Sequence, residues 1–368
     1  MAAIAVYKGR LQFSHKSIYV FLILFLLLIY SIISSTWSPF PGLSIQRSLI
    51  TFSTPLIMFV VISVDENPRQ TFWYFLLTMF ILSTLICLYG VILYIFGEWT
   101  TIQGSYGHTL TIGSFELQQN TMSSNQRIGS LFYNPNILAR IILVSLPSSI
   151  YVYWNTNRYK FIVVLGIVFQ WIALFLTLSR GGLVATFTSI TVIVLYLVSQ
   201  KESKSLYLMY FIVILSSAVI IVYYFFDISR LSSLSLNHRG VTWVVLFEAF
   251  QQNPISGIGQ GIASEAILND SSRTASSPHN DYITVMSELG LVGLILFIIV
   301  IVVSVFSGIK GMSNGSRVKR HQVSIALAIF VGVCIYGLVE TAISRHGFPH
   351  VVWSYILFFI IFSSVEDR

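Results

Sequence analysis

Long apolar runs alternate with short polar segments along most of the chain. The runs reach or approach the roughly 20 residues that an α-helix needs to cross a bilayer. They lie near residues 18–35, 48–63, 72–96, 137–154, 160–178, 182–199, 206–226, 290–307, 323–341 and 350–364. This pattern predicts an all-α, polytopic membrane protein with about ten transmembrane helices. No internal repeat or linker interrupts it, so the pattern predicts a single integral membrane domain over residues 1–368.

Two of the polar segments are much longer than the others. They cover about residues 97–136 and 227–281 and are rich in Ser, Asn, Gly and Gln. Loops of this length in a compact protein are usually functional or disordered. The second contains VTWVVLFEAFQQ, in which Val241, Val244, Val245 and Glu248 are spaced for an amphipathic helix. We expect this helix to lie along the membrane interface and to end at Asn253 and Pro254.

Composition supports the membrane assignment and excludes a soluble domain. Hydrophobic residues make up 55% of the chain and charged residues 10%, and the mean hydropathy is +0.80. The flank of the first run carries charge and no small-residue cleavage site follows it, so we expect a retained span. Cys87 and Cys334 both fall within predicted spans, which predicts neither a disulfide nor a zinc site.

The distribution of positive charge predicts the topology. With ten spans and a cytoplasmic N-terminus, the cytoplasmic segments hold more Lys and Arg, as membrane proteins prefer. The formal net charge of +7 is then mostly a topology signal and does not indicate nucleic-acid binding. Every lysine falls on the cytoplasmic side, and the outer face carries only arginines. These are Arg47, Arg127, Arg180, Arg230, Arg239, Arg273 and Arg345. Guanidinium groups grip phosphate bidentately, so this bias favours an anion site, although chance is the alternative.

The segment SSPHND, residues 276–281, carries a histidine where a span begins. Ser277 is a suitable N-cap and Pro278 suits the first helical position, which predicts that His279 occupies the first turn. The positive helix end there would keep the ring neutral and would attract anions. The alternative is that His279 only caps the helix or forms a hydrogen bond at the interface.

The segment TLSRGGLVA places Arg180 at the outer rim, between a span that ends near residue 178 and one that begins near 182. Small residues then follow on one face, which predicts close helix packing. They are Gly182, Ala185, Thr186 and Ser189. An isolated rim arginine could instead extend to lipid headgroups.

Two further outer arginines stand near predicted helix starts. Arg239 lies in LNHRGVTW, and Arg127 precedes a cap pair formed by Asn134 and Pro135. With Arg180 and His279 they predict a site for a diphosphate and a hydroxyl group.

Two other features of the outer segments bear on the chemistry. NPISGIGQG, residues 253–261, is interpreted as a flexible or re-entrant turn, with a phosphate-binding loop as the alternative. The outer acidic residues form no Asp-x-Asp pair, so the sequence requires no metal.

Four ordered blocks of this sequence resemble the O-antigen ligase and polymerase superfamily of bacterial envelope glycan enzymes. The blocks are RIGSLFYNPNILA, TLSRGGLVA, NHRGVTWVVLFEAFQQNPISGIGQG and PHNDYITVMSELGLVGLILF, and together they span roughly residues 127–298. The resemblance implies a metal-independent, inverting GT-C-type glycosyltransferase without a cofactor, whose catalytic core is 127–298 and includes the loop 227–281. The donor would be a glycan on undecaprenyl pyrophosphate and the acceptor a sugar hydroxyl. The active site would face outward from the plasma membrane.

The resemblance also implies roles for individual residues. Arg180 and Arg239, together with Arg127, would bind the pyrophosphate, and His279 would deprotonate or orient the acceptor hydroxyl. Substrate binding would further involve Asn280, which holds either the acceptor or the helix end, Tyr282 in the pocket wall, and Arg273. Asp281 and Glu248 are alternatives to His279 as the base.

Two alternatives stay open at this point. A flippase for lipid-linked glycans would also need cations for pyrophosphate, but deep within the membrane, where only Arg140 lies well inside a span. Within the enzyme class, a ligase and a polymerase share these motifs and differ in the acceptor.

Overall fold

The computed structural model describes residues 15–102, 105–112, 115–121, 126–200, 235–268, 277–314, 316–344 and 347–363. Seven helices in this part of the chain have the length and composition to cross a membrane, and two shorter helices are also apolar. These nine coincide with nine of the predicted spans, which confirms a polytopic, mainly helical protein. The predicted span at 206–226 lies outside the described residues, so the count of ten stays a prediction.

The helices and strands follow one another along the chain in a fixed order. They are α1 (His15–Ile33), a 3₁₀ turn (Ser34–Thr36), α2 (Pro41–Val64), α3 (Pro68–Phe96), β1 (Glu98–Ile102), β2 (Ser105–Ile112), β3 (Phe115–Thr121), α4 (Pro135–Asn155), α5 (Lys160–Leu176), α6 (Arg180–Ser199), α7 (Ser235–Gln252), α8 (Ala263–Leu268), α9 (Asp281–Ser313), α10 (Arg317–Tyr336) and α11 (Phe348–Ser363).

Internal contacts divide the described chain into two units. Unit one contains the described residues of Met1–Pro68 and Val222–Arg368, and unit two those of Arg69–Ile221. Helices α1, α2 and α7 to α11 belong to unit one. Nearly all of α3, the three strands, and helices α4 to α6 form unit two.

A three-stranded antiparallel sheet occupies most of the first long loop, so the strictly all-α prediction is wrong here. The strands run in the order β1-β2-β3, with Glu98 opposite Thr109 and Ile112 opposite Phe115. Thr, Tyr and Trp recur in these strands and favour pleated backbone.

A buried amide joins three helices of unit two. The side-chain oxygen of Gln170 on α5 accepts hydrogen bonds from Ser145 and Ser149 of α4, at 3.0 and 3.2 Å. Its nitrogen donates to Thr84 of α3 at 2.9 Å. Within an apolar layer no water competes for these groups, so satisfied polar side chains hold helices together.

A proline in α2 of unit one leaves a carbonyl for another helix to bind. Pro55 has no N–H, so the carbonyl of Thr51, four residues earlier, lacks its usual partner within the helix. Nε2 of the buried His350, on α11, lies 2.7 Å from this oxygen. This contact ties α11 to α2 at the point where the helix itself supplies no donor.

Candidate functional site

Helix α9 begins later than the sequence predicted. Asn280 is the N-cap, and its side-chain oxygen accepts hydrogen bonds from the backbone N–H groups of Tyr282 (2.9 Å) and Ile283 (3.0 Å). The predictions that Ser277 is the cap and that His279 lies in the first turn are therefore wrong. The reason is tertiary: the Asn280 amide nitrogen donates to the Leu338 carbonyl at 2.7 Å, which turns its oxygen toward the helix.

His279 precedes the cap and has an unusual backbone conformation. Its φ of 51° is in the left-handed region, which non-glycine residues adopt mainly where neighbouring contacts hold them. Because His279 precedes the first turn, the predicted effect of the helix end on a first-turn ring does not apply to it.

Asp281 fixes the segment that follows α10. Its carboxylate is fully buried and accepts hydrogen bonds from the backbone N–H groups of Ala342, Ile343 and Ser344 at 2.9 to 3.1 Å. The Ser344 hydroxyl donates to the same carboxylate at 2.6 Å. The backbone N–H of Asp281 donates to the Gly337 carbonyl at 2.7 Å. With four donors around it and no exposure to solvent, Asp281 is a structural residue, which contradicts the alternative that it acts as the base.

The segment held by Asp281 carries Glu340 to the histidine. Oε2 of Glu340 lies 2.9 Å from Nδ1 of His279, and the two side chains are 5% and 28% exposed, respectively. We call residues 277–281 together with 337–344 the histidine junction. The structure brings His279, Asn280 and Asp281 together there with Glu340, a residue that the sequence interpretation did not select.

Glu340 was missed because the predicted span 323–341 included it. Helix α10 ends at Tyr336, so Glu340 belongs to the segment after the helix. A signal was present in the sequence: a glutamate near the end of an apolar run is itself an indication of function or of a specific partner. Its partner, however, is 61 positions away in the chain.

Helix α7 packs beside the histidine junction. The indole N–H of Trp243 donates to the Pro278 carbonyl at 3.0 Å. The helix ends at Gln252, as predicted, but begins at Ser235, so Arg239 lies within it and does not open it. Among its described side chains, Thr242, Val245 and Leu246 are buried whereas Val244 is exposed, which differs from the predicted apolar face. The packing partners Ala263 and Ile283 select this face.

Helix α9 is interrupted at Gly290, where φ is 65° and ψ is −163°. The backbone N–H of Ile258 donates to the Ser287 carbonyl, and that of Gly259 to the Glu288 carbonyl, each at 2.9 Å. In return the N–H of Leu291 donates to the Pro254 carbonyl at 2.9 Å. The turn at 253–261 thus pairs with the interrupted helix and satisfies backbone groups that the helix leaves open.

The glycines of this turn serve close backbone contact. A Cβ atom on Gly257 would collide with the backbone of Glu288, and one on Gly290 with the backbone of Ile255. The N–H groups of Ile258 and Gly259 are already used by α9. These contacts agree with a re-entrant turn and contradict the alternative of a phosphate-binding loop.

Arg180 lies at the start of α6 in unit two. Helix α5 ends at Leu176, Leu178 turns the chain with a φ of 50°, and the hydroxyl oxygen of Ser179 caps α6 by accepting from Gly182 N at 3.3 Å. Arg180 is therefore the first residue of the helix, close to the predicted position. A Cβ on Gly182 would lie 2.6 Å from that of Ala139, which confirms the predicted close packing of small residues.

Arg127 holds this turn from the side. Its Nε donates to the Thr177 carbonyl at 2.7 Å and its Nη2 to Asn136 Oδ1 at 3.1 Å. The next residue, Ile128, donates its backbone N–H to the Leu176 carbonyl at 3.1 Å. We call residues 176–182 together with 127–128 the arginine turn. Asn134 caps α4, with Pro135 as the first helical residue, as predicted.

The remaining predicted site residues lie as follows. Arg273 is outside the described residues, and for Arg239 the description covers the backbone alone. The Tyr282 hydroxyl donates to the Cys334 carbonyl at 2.9 Å and so joins α9 to α10. Glu248 is exposed on α7. In the described part of the chain, no three His, Cys, Asp or Glu side chains lie close enough to hold a metal ion together.

Comparison with known proteins bears on residues of both units. A family model described as O-antigen ligase matches residues 163–298. A chain from the structure "Structural coordination of polymerization and crosslinking by a peptidoglycan synthase complex" shows 12% identity, a TM-score of 0.46 and coverage of 94% of this chain and 96% of that one. No curated protein matches. The family match confirms the resemblance found in the sequence: residues 163–298 of this chain are similar to the O-antigen ligase family.

Proposed function

We propose that this protein is a membrane glycosyltransferase that moves a glycan from undecaprenyl pyrophosphate to a sugar hydroxyl during assembly of surface polysaccharide. The observation that carries the proposal is the family match over residues 163–298, which includes Arg180, Arg239 and His279. The site faces outward from the plasma membrane in this proposal, as the distribution of lysine and arginine predicts.

Arg180 and Arg239 bind the pyrophosphate in this scheme. Arg180 is partly exposed as the first residue of α6, where open backbone N–H groups and the helix dipole also favour an anion. A guanidinium group can hold two phosphate oxygens at once, and its charge stabilises the pyrophosphate as it leaves. Arg127 supports Arg180 by fixing the carbonyl of Thr177, three residues before it.

The bond changes are those of a single displacement. The acceptor oxygen forms a bond to the anomeric carbon, and the bond from that carbon to the pyrophosphate oxygen breaks, with its electron pair staying on the pyrophosphate. His279 takes or orients the hydroxyl proton as attack proceeds. Attack from the face opposite the leaving group inverts the anomeric centre, and the arginines supply the charge neutralisation that a metal provides in other transferases.

Whether the protein is a ligase or a polymerase depends on the acceptor, and a gene deletion distinguishes the two. Cells that lose a polymerase carry single repeats on the acceptor, whereas cells that lose a ligase accumulate unattached long chains. Gel electrophoresis of the envelope polysaccharide shows which pattern appears.

Variants returned to the deletion strain test the site. We expect Arg180→Ala and His279→Ala each to lower polysaccharide transfer by about a hundredfold or more, the usual loss for one group that stabilises a transition state. Arg158→Ala is the matched control, because Arg158 lies just before α5 whereas Arg180 lies just after it. Normal transfer by either site variant at equal expression removes that residue from the mechanism.

Binding of the leaving group tests the arginines separately from turnover. Purified protein titrated with undecaprenyl pyrophosphate should lose affinity in Arg180→Ala and in Arg239→Ala but keep it in Arg158→Ala. Unchanged affinity in both site variants would contradict the pyrophosphate role. Saturating chelator should leave the transfer rate unchanged, and a loss restored by magnesium would overturn the metal-free scheme.

A further inference from the structure

The contact between His279 and Glu340 determines which ring nitrogen is available. An ionised carboxylate only accepts hydrogen bonds, so with Glu340 ionised the 2.9 Å contact from Nδ1 to Oε2 places a proton on Nδ1. In the neutral ring, Nε2 then keeps its lone pair. The contact therefore selects the tautomer in which Nε2 can accept a proton.

His279 is more exposed than Glu340, and its Nε2 takes no part in the contact between them. The His279 side chain is 28% exposed, whereas that of Glu340 is 5% exposed. Among the described residues, none forms a hydrogen bond with Nε2 of His279. Among the described residues the ring is therefore hydrogen-bonded at Nδ1 alone, and its side chain is partly exposed.

Glu340 is held in place without the help of His279. Its backbone N–H donates to the Tyr336 carbonyl at 3.0 Å, which continues the end of α10. On its other side, the buried Asp281 carboxylate holds Ala342 and the two residues after it. The carboxylate of Glu340 is thus presented on a segment fixed at both ends, which is the condition for orienting a partner.

We propose that Glu340 is the positioning residue for His279: it holds Nδ1–H and so aims Nε2 at the acceptor hydroxyl. The proposal rests on the proposed function and deepens it. As the acceptor oxygen bonds to the anomeric carbon and the pyrophosphate leaves with the electron pair, the hydroxyl proton moves to Nε2. Glu340 faces the imidazolium so formed, and the ring later returns the proton to solvent. The Glu340 carboxylate thus orients the His279 ring and also stabilises the positive charge of the imidazolium.

The tautomer can be measured without any glycan. Protein with ¹⁵N-labelled histidine is examined by NMR above the pH at which imidazole protonates, and the signals of His279 are identified by their loss in His279→Asn. We expect a protonated Nδ1 and an unprotonated Nε2 in the wild type, and loss of this preference in Glu340→Leu. Glu265→Gln is the matched control, since Glu265 pairs with Arg47 and does not touch the histidine.

The activity test uses the deletion strain and compares two substitutions at Glu340. Glu340→Leu removes both the hydrogen-bond acceptor and the negative charge. We expect transfer to fall by about a hundredfold or more, which is the usual rate contribution of a positioned general base. Glu340→Gln keeps an oxygen that can accept from Nδ1–H but carries no charge, so we expect a smaller loss and a retained Nδ1–H signal. In the His279→Ala background, Glu340→Gln should have no further effect.

The outcomes separate this proposal from the proposed function. A protonated Nε2 in the wild-type protein overturns the positioning role whatever the activity. An equal loss for Glu340→Gln in the presence and absence of His279 shows a structural role and also overturns it. If the tautomer is as expected but deletion of the gene leaves surface polysaccharide unchanged, the pair stands and the glycosyltransferase assignment fails.

Discussion

The arginine turn and the histidine junction both place a charged or ionisable residue at a helix start, but they are built differently. Arg180 is the first residue of α6, and its cap, Ser179, is its neighbour in the chain. His279 precedes its helix and is held by residues that follow another helix, with sequence separations of 58 to 63 for the supporting hydrogen bonds. The first arrangement is set mainly by local residues, and the second by contacts between distant segments.

This difference has a physical consequence for mutation. A local cap contributes about 1 kcal/mol and can be lost without disturbing the rest of the unit. Replacement of a buried carboxylate that accepts from four donors affects all four hydrogen bonds at once. Each donor that is left without a partner costs free energy. We therefore expect the histidine junction to be the more sensitive region.

Asp281→Asn should have the largest effect. The amide keeps the shape of the carboxylate but places an NH₂ group against backbone N–H donors, which leaves buried donors unpaired. We expect about 3–5 kcal/mol of lost stability, the range typical of a broken buried charged network. Thermal unfolding in detergent measures this loss, and transfer should fall with it because Glu340 is displaced.

Ser344→Ala is the graded control for Asp281→Asn. It removes one hydroxyl donor from the same carboxylate and leaves the three backbone donors in place. A loss of about 1–3 kcal/mol is expected, as for one hydrogen bond to a charged group. Equal unfolding temperatures for Asp281→Asn and the wild type would show that the junction is not organised by this carboxylate.

The interruption of α9 provides the next test. At Gly290, φ is 65° and ψ is −163°, a region that essentially only glycine occupies, and a Cβ there would collide with the backbone of Ile255. We expect Gly290→Ala to cost about 1–3 kcal/mol. Gly42→Ala is the control, because an added Cβ there has no heavy atom within 4 Å. If the two variants unfold at the same temperature, α9 can run through this point without interruption.

Much of the fold could be predicted because hydropathy and caps are local signals. Nine predicted spans coincide with helices, and the cap pair of Asn134 and Pro135 and the helix end at Gln252 lie where expected. The sheet was missed because its strands are short, polar and placed between apolar helices. Their content of Thr and Tyr is a weaker signal than the hydropathy of the spans beside them.

The candidate site could be predicted only in part, for a related reason. Arg180, Ser179 and Gly182 stand together in one motif, so the sequence shows their arrangement directly. The cap of α9 could not be assigned in this way, because both Ser277 and Asn280 are good capping residues. The Leu338 carbonyl decides between them by binding the Asn280 amide, and no pattern within residues 276–281 reports that contact.

Removal of the local cap should have a moderate effect that is specific to the arginine turn. Ser179→Ala deletes the acceptor for Gly182 N, and we expect a loss of about 1 kcal/mol. Ser316→Ala removes the equivalent cap of α10, where the Ser316 hydroxyl oxygen accepts from Lys319 N, and should cost a similar amount. Only Ser179→Ala should also weaken binding of undecaprenyl pyrophosphate. Equal weakening in both variants would argue against a special role for the position of Arg180.

The smallest effect concerns His108 of the sheet. Contacts with other residues hold this histidine, as they hold His279, but His279 is partly exposed whereas His108 is buried. It is 4% exposed beside the rings of Tyr94 and Trp99, and its Nδ1 accepts from Gln119 Nε2 at 3.2 Å. Burial lowers the pKa of His108 below its ordinary value of 6.5, so acid protonates the unfolded chain first. The stability from this site is therefore fully present above pH 6.5 and is lost as the pH falls through the lowered pKa. His108→Gln should flatten the decline in unfolding temperature on the acid side, and an unchanged decline would show that other groups cause it.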